Sequence, residues 1–373
     1  MIGGGRGAFI GAVHRMAARL DDRYELVAGV LSSDPQRAHD SGADLLLAPE
    51  RSYAEIGALL DAEAKRADGV DVVAIVTPNH LHHSAAKRCL EAGFHVICDK
   101  PLTTTIEDAQ ELLQIAEQTR RVLAVTYNYS GYPMVRQARE MIANGDLGEL
   151  RVVQIEYAQD WLTTPVEATG NKQAAWRVDP LKSGIAGAIG DIGTHAFHLA
   201  EFITGTRVTQ LAADLSSQFA GRRLDDNGHM LLRFSNGARG SLWASQVAPG
   251  NENNLRIRAY GSKGGLEWSQ EAPNHLCFAP IGEQPRYITR GGAGAGTAAA
   301  LSTRLPSGHP EGYIEAFAQI YTDVAELIVA TNDGRTPGAG ALLAPTVADG
   351  LRGVKFIHAA VESSGRDAAW TVV

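Results

Sequence analysis

The feature that most constrains this chain is the alternation, across its first third, of short β-branched runs with amphipathic helical patterns. YELVAGVL, DVVAIVTP, HVICD and VLAVTYN read as strands, the second ending at Pro78. Arg6 to Leu20, LHHSAAKRCLEAG and TIEDAQELLQIAEQT read as helices between or before them. Strands separated by helices pair in parallel through crossovers, so these units predict a Rossmann-type α/β domain over residues 1–128. From Leu150 the texture changes. RVVQIEYAQDW, VTQLAADLSS, HMLLRFSNGARGSLWASQV, LRIRAYGSKGGLEW and HLCFAP are strand patterns joined by turn signals such as Ser235-Asn236-Gly237 and Gly264-Gly265. Hairpin-linked strands predict a mainly antiparallel sheet, hence a second, α+β domain over residues 129–373. GGAGAGTAAA (291–300) predicts a mobile loop. Helical patterns return in GYIEAFAQIYTDVAELI and ADGLRGVKFIHAAVES, which can pack back on the first domain.

The glycine-rich opening MIGGGRGAFIGAVHR fits a dinucleotide loop loosely in two registers, Gly3-x-Gly5-x-x-Ala8 and Gly5-x-Gly7-x-x-x-Gly11. Taken alone it reads equally as an ordinary tight turn. Only Met1 and Ile2 precede it, so the first strand is expected to be incomplete. In open parallel sheets ligands bind outside the carboxyl ends of the strands. Thr77, Pro78, Asn79 and His82 follow one strand pattern, Asp99 and Lys100 the next, and Asn128 the last, so all are candidates to meet a cofactor. His80, His82 and His83 read as a polar helix-capping loop or as a metal site; no acid joins them locally, and no metal is expected.

Composition narrows the function classes. Among 373 residues the formal net charge is -8, with no basic block, which gives no footprint for nucleic acid. Three scattered cysteines suggest neither a disulfide framework nor a zinc site and fit a reducing cytoplasm. No leader pattern and no apolar run of membrane length is present, so no membrane partner is expected. Neither a GxSxG elbow nor a P-loop GK[ST] occurs, which removes support for a serine hydrolase or a nucleotide kinase.

The order of glycine loop, TPNHLH, CDKPL and GAIGDIGTHAFHLAEFITG resembles the Gfo/Idh/MocA family of glucose-fructose oxidoreductases, inositol dehydrogenases and relatives, over nearly the whole chain. YAQDW, AAWR and GDIGTH are also similar to levoglucosan dehydrogenase. The resemblance implies NAD(P) as cofactor, a sugar or cyclitol substrate, and an open C-terminal sheet that builds homodimers or homotetramers. It departs from the family in having Asp99-Lys100-Pro101 where Glu-Lys-Pro is usual, and in a longer glycine loop from Arg6 to Ile10.

Oxidation of a secondary alcohol needs a hydride acceptor and a group that takes the hydroxyl proton. Lys100, at a strand end beside the expected nicotinamide, reads as proton acceptor or relay, against an ordinary surface lysine in a turn; partial burial and a nearby positive charge favour its neutral form. Asp191 and His195 are four apart and share one face of a helix expected to start near Gly190, although an aspartate there is equally a good cap. The resemblance assigns them the sugar-binding or deprotonating roles. Trp176 and Arg177 are candidates for cofactor or sugar contact, and Tyr129, Tyr132, Asp160 and Trp161 offer aromatic and polar surface of the kind sugars need. His309 reads as a pocket residue or as a helix cap. In LSSDPQR, Ser32 stands where an NAD-selective site carries an acid, with Ser33 and Arg37 nearby, so NADP is expected to be tolerated. Alternatively the serines only start a helix at Asp34. The expected activity is NAD(P)-dependent oxidation of a ring secondary alcohol. An NAD-dependent glycosidase that oxidises, eliminates and re-reduces is the alternative within enzymes, and a cofactor-sensing binding protein the alternative outside them.

Overall fold

A computed structural model describes residues 1–169 and 176–373, which form two compact units, Met1–Asn128 with Phe317–Leu351, and Tyr129–Ala316 with Arg352–Val373. The first unit is built on a parallel sheet in the order β1 (Ile2–Gly3), β2 (Val72–Val76), β3 (His95–Cys98), β4 (Leu123–Val125). β3 and β4 are buried at every residue and β2 at Val73, Ile75 and Val76, as expected for strands that are continuous apolar runs. Its helices are α1 (Phe9–Leu20), α2 (Pro35–Asp44), α3 (Ile56–Glu63), α4 (His82–Glu91) and α5 (Ile106–Thr119). α2 and α5 begin at side-chain caps, Asp34 accepting from the Arg37 N–H and Thr105 from the Asp108 N–H.

Two elements differ from expectation. YELVAGVL forms no extended strand: its ladder consists of isolated bridges, Ile2↔Val30 and Gly29↔Ser52. A ladder is as long as its shorter member, and extended backbone in the partner stops where Gly3 and Gly4 turn to φ +82° and +75°. Helix α1 starts at Phe9 rather than Arg6, because Gly7 takes φ +80° and Ala8 is still extended.

The second unit carries a nine-stranded sheet in the order β12-β11-β10-β9-β5-β8-β7-β6-β13. Its strands are β5 (Leu150–Ala158), β6 (Val208–Ser216), β7 (Asn227–Phe234), β8 (Arg239–Ser245), β9 (Asn254–Gly261), β10 (Gly264–Ser269), β11 (His275–Pro280), β12 (Arg286–Thr289) and β13 (Thr371–Val372). Every pairing is antiparallel except β5 with β8. Two-residue periodicity divides the faces: Val153, Ile155, Met230 and Leu232 are buried, while Val152, Leu231 and Tyr260 are exposed on strands of the same sheet. On the buried side lie α6 (Pro133–Ala143) and α7 (Thr194–Thr204), the latter buried along its whole length, with Phe197 stacked on Phe356 at 4.4 Å. Part of the expected loop 291–300 is a helical turn, α8 (Thr297–Ala300). Side chains of α6 hold its start, Gln137 Oε1 accepting from the Gly296 N–H and Glu140 Oε2 from the Ala298 N–H.

Candidate active site

In the first unit the glycine loop runs between β1 and α1 at the carboxyl edge of the sheet. Gly11 allows the helix to press on the loop, since a Cβ there would lie 2.3 Å from the Gly4 Cα. Gly7 faces open space and needs only its left-handed backbone. Gly3 and Gly5 donate their N–H groups to Val30 and Leu31 carbonyls, and the Ala8 N–H bonds Gly5 O. Arg6 is pinned to α2, with its guanidinium on Asp40 (2.9 Å) and Asp44 (2.8 Å) and its N–H on Ser41 Oγ (3.1 Å).

The carboxyl ends of β2, β3 and β4 carry the remaining cofactor candidates. Thr77 Oγ1 and Asn128 Nδ2 are buried and accept or donate no hydrogen bond among the described residues. Buried polar atoms of this kind are costly unless a ligand or water meets them, so this edge fits a polar cofactor. Asn79 is buried in the short turn after Pro78. His82 is fully buried between two carbonyls, Pro101 O on Nδ1 at 2.9 Å and Thr77 O on Nε2 at 2.8 Å, and burial lowers its pKa. The ring therefore ties the β2 and β3 loops together. Asp99 Oδ1 accepts from the Lys100 N–H (2.8 Å) and from Thr126 Oγ1 (2.9 Å), while Lys100 is half-buried and its bond to Pro101 is cis. At the second-strand end the Ser32 Oγ accepts from the Asp34 N–H at 3.1 Å, and Ser33 and Arg37 are exposed.

His83 departs from the expectation that no acid joins these histidines: α5 brings Glu111 to 2.7 Å and Asp108 to 3.6 Å. These three side chains form a group of metal-ligand type, and Lys87 pairs with the same Glu111 at 2.5 Å.

In the second unit Asp191 does not lie on a regular α-helix. Residues Ile189–Gly193 form a π turn, the Thr194 N–H bonding Ile189 O, and α7 follows directly. Inserted turns of this type recur at functional sites because they re-aim side chains. Asp191 Oδ2 accepts from Gln246 Nε2 at 2.9 Å and pairs with Arg177 Nε at 3.3 Å. Arg177 lies over the Trp176 ring at 4.5 Å; Ala174 and Ala175 of the AAWR stretch lie outside the described residues. His195 is buried one turn on, edge to face with Tyr129 at 4.9 Å. Tyr129 and Tyr157 bond hydroxyl to hydroxyl, and Tyr157 donates to Asn253 Oδ1 at 2.7 Å. Burial raises the pKa of both phenols, which keeps them protonated as hydroxyl donors.

Three amides that sequence reasoning missed close this network. Gln159 Nε2 donates to Asn253 Oδ1 at 2.7 Å, and its Oε1 accepts from Trp161 Nε1 at 3.1 Å and Gln246 Nε2 at 3.3 Å. Gln159, Gln246 and Asn253 flank β5, β8 and β9 at positions that pair through Ala158↔Ser245 and Ala158↔Asn254, so sheet register sets them side by side. A polar amide just beyond three separate strand patterns was the available signal. Tyr132 stacks parallel to Tyr129 at 6.1 Å and accepts from Gln270. Asp160 is half-buried beside the network, its carbonyl accepting from Thr163. His309 is exposed on the turn before Tyr313, where its carbonyl accepts from Arg290.

A doubly wound nucleotide-type unit followed by an open-sheet unit that carries a half-buried Asp191 held by Gln246 and a buried His195 one turn on has the layout of a dinucleotide-dependent oxidoreductase. The chain matches the NAD-binding Rossmann-fold oxidoreductase family over residues 1–127 and the GFO/IDH/MocA C-terminal domain over residues 135–267. It is 36% identical to the uncharacterized oxidoreductase YfiI of Bacillus subtilis (strain 168), covering 99% of this chain and 95% of that protein. Levoglucosan dehydrogenase of Pseudarthrobacter phenanthrenivorans is 28% identical over 82% of this chain and 80% of its own. The crystal structure of an inositol dehydrogenase homologue from Azotobacter vinelandii, complexed with NADH and myo-inositol, superposes with a TM-score of 0.91 at 38% identity, covering 100% of this chain and 96% of that one. The chain belongs to the Gfo/Idh/MocA oxidoreductase family and is an NAD(P)-dependent dehydrogenase. Among the described residues, no helix is long and apolar enough to cross a membrane.

Proposed function

We propose that this enzyme oxidises a ring secondary alcohol of a sugar, cyclitol or sugar derivative, and that the protein binds and releases the hydroxyl proton through His195 and Lys100. The observation that carries this reading is the polar network of the second unit, in which the half-buried Asp191, Gln159 and Asn253 are linked with the buried Gln246, Tyr157 and Tyr129, the last against the His195 ring. Such a set of fixed donors and acceptors beside aromatic faces suits a polyol ring. Relatives whose complexes contain myo-inositol or that are named for levoglucosan support the same substrate class.

When bound, NAD(P) supplies the hydride acceptor. The glycine loop, Thr77, Asn128 and the Asp99-Lys100 turn would hold it, consistent with the unmet polar atoms of Thr77 and Asn128. The carbinol carbon loses a hydride and its hydroxyl loses a proton, leaving a ketone. That one proton passes to His195 and Lys100 acting as acceptor and relay, and Asp191, held by Arg177 and Gln246, fixes the orientation of the hydroxyl. Ser32 in place of an acid supports tolerance of NADP, because the element that would repel a 2′-phosphate is absent. Trp176, Trp161, Asp160, Tyr132 and His309 are proposed sugar or cofactor contacts of lesser weight.

A dehydrogenase screen of inositols, aldoses and anhydrosugars with NAD and NADP tests the reading. Reduced cofactor should accumulate with at least one of them. Lys100→Ala should then lower kcat by about 100-fold or more with cofactor affinity little changed, the size expected for lost acid–base catalysis. Turnover of no polyol, or full kcat in Lys100→Ala, would contradict it.

A further inference from the structure

The π turn that carries Asp191 is held by the acidic dipeptide Asp225-Asp226, whose side chains bond none of the network residues. Asp225 Oδ1 accepts from the Gly187 N–H at 2.7 Å and Oδ2 from the Ile189 N–H at 2.8 Å, while its backbone carbonyl accepts from the intervening Ala188 N–H at 2.9 Å. Three successive amides at the entrance of the turn are thus captured by one residue. The approach is close: a Cβ on Gly187 would stand 2.1 Å from Asp225 O.

Asp226 is tied instead to Gln246, the donor to Asp191. The Asp226 carboxylate is fixed by Arg222 Nη1 at 2.7 Å and by the Gln218 N–H, and Arg222 also pairs with Glu167. Its carbonyl accepts from the Gln246 N–H at 2.8 Å, and Gln246 Nε2 is the donor to Asp191. The backbone of the turn and the side chain that holds Asp191 therefore both hang from residues 225 and 226. Arg222 serves Asp226 and Glu167, so the Asp225 carboxylate is met by backbone N–H groups.

We propose that Asp225 is a positioning residue for the reaction: by clamping the Gly187–Ile189 amides it sets where the π turn presents Asp191 and where α7 starts and so places His195 in its first turn. Hydrogen bonds from backbone amides to a carboxylate are charge-assisted and directional, which suits a group whose task is placement. A misplacement of reacting groups by about 1 Å costs on the order of 100-fold in rate.

This inference rests on the proposed roles of Asp191 and His195, so the test includes them. Asp225→Asn keeps the size of the side chain and puts an amide donor against one of the two N–H groups. With the best polyol of the screen, it should lower kcat about 10- to 100-fold, while NAD(P) affinity by fluorescence titration and the melting temperature stay near wild type. Asp225→Glu, which keeps the charge and moves it outward, should not restore kcat and serves as the second variant if Asp225→Asn does not fold. Asp191→Ala and His195→Ala are measured alongside. If they lose activity while a folded Asp225 variant keeps kcat and KM within twofold of wild type, the positioning role is overturned and the site reading stands. If Asp191→Ala and His195→Ala retain full turnover, the site reading itself fails, and the inference with it.

Discussion

His14 shows how much one buried side chain can weigh. It lies on α1 with its Nδ1 at 2.8 Å from the Tyr321 hydroxyl and its ring edge to face with Phe317, and it is fully buried. Burial lowers its pKa from 6.5 to about 4, with Arg15 and His82 adding to the effect and Asp99 opposing it. The folded protein therefore keeps the ring neutral where the unfolded chain protonates it. Stability should be intact above pH 6.5 and fall as the pH drops towards 4, by up to about 3 kcal/mol from this residue alone. In urea melts at pH 7 and pH 4.5, His14→Gln should lose less stability between the two conditions than wild type does. Equal losses would show that His14 does not contribute. The sequence reading did not single out His14, because its burial depends on Tyr321, which is remote in sequence.

Elements were legible in proportion to how local their causes are. α5 is bounded by a Thr105 cap and stays amphipathic, so its pattern suffices. The alternating faces of β5 and β7 likewise follow from two-residue periodicity. The π turn at Ile189–Gly193 reads from its sequence as ordinary helix, since the Asp225 carboxylate that meets the Gly187 and Ile189 amides at its entrance lies on another segment. The three amides that meet at Gln159 were hidden for a similar reason: only the register of β5 with β8 and β9 brings them together. The glycine loop lies between these cases. Its glycines are visible, but which of them bears packing is not. Gly11→Ala would drive a Cβ to 2.3 Å from Gly4 Cα. We expect a cost of about 1–3 kcal/mol from overpacking, together with weaker NAD(P) binding as α1 backs away from the loop. Unchanged melting temperature and cofactor affinity would refute this.

For the whole molecule, the outer face of the nine-stranded sheet sets the expectation. Leu231 is 57% exposed and Tyr260 40%, and they stand on the same face as the stacked pair His229 and Trp243. We expect apolar and aromatic surface of this kind to be a contact face, and a self-complementary one closes as a symmetric oligomer. Light scattering at micromolar concentration should give a dimer or larger species, and Leu231→Lys should shift it towards monomer; a monomeric wild type would rule this out. The place of β5 has a different consequence, for the order of folding. It pairs with β8 on one side and β9 on the other, both far along the chain. On the ribosome it must therefore wait with both edges bare until residues 239–261 have been made. Contacts of such long sequence separation form slowly. The middle of this sheet is among its early-made parts, yet it is closed late, and the nascent chain carries an unpaired strand edge of the kind prone to aggregate for as long as β5 waits.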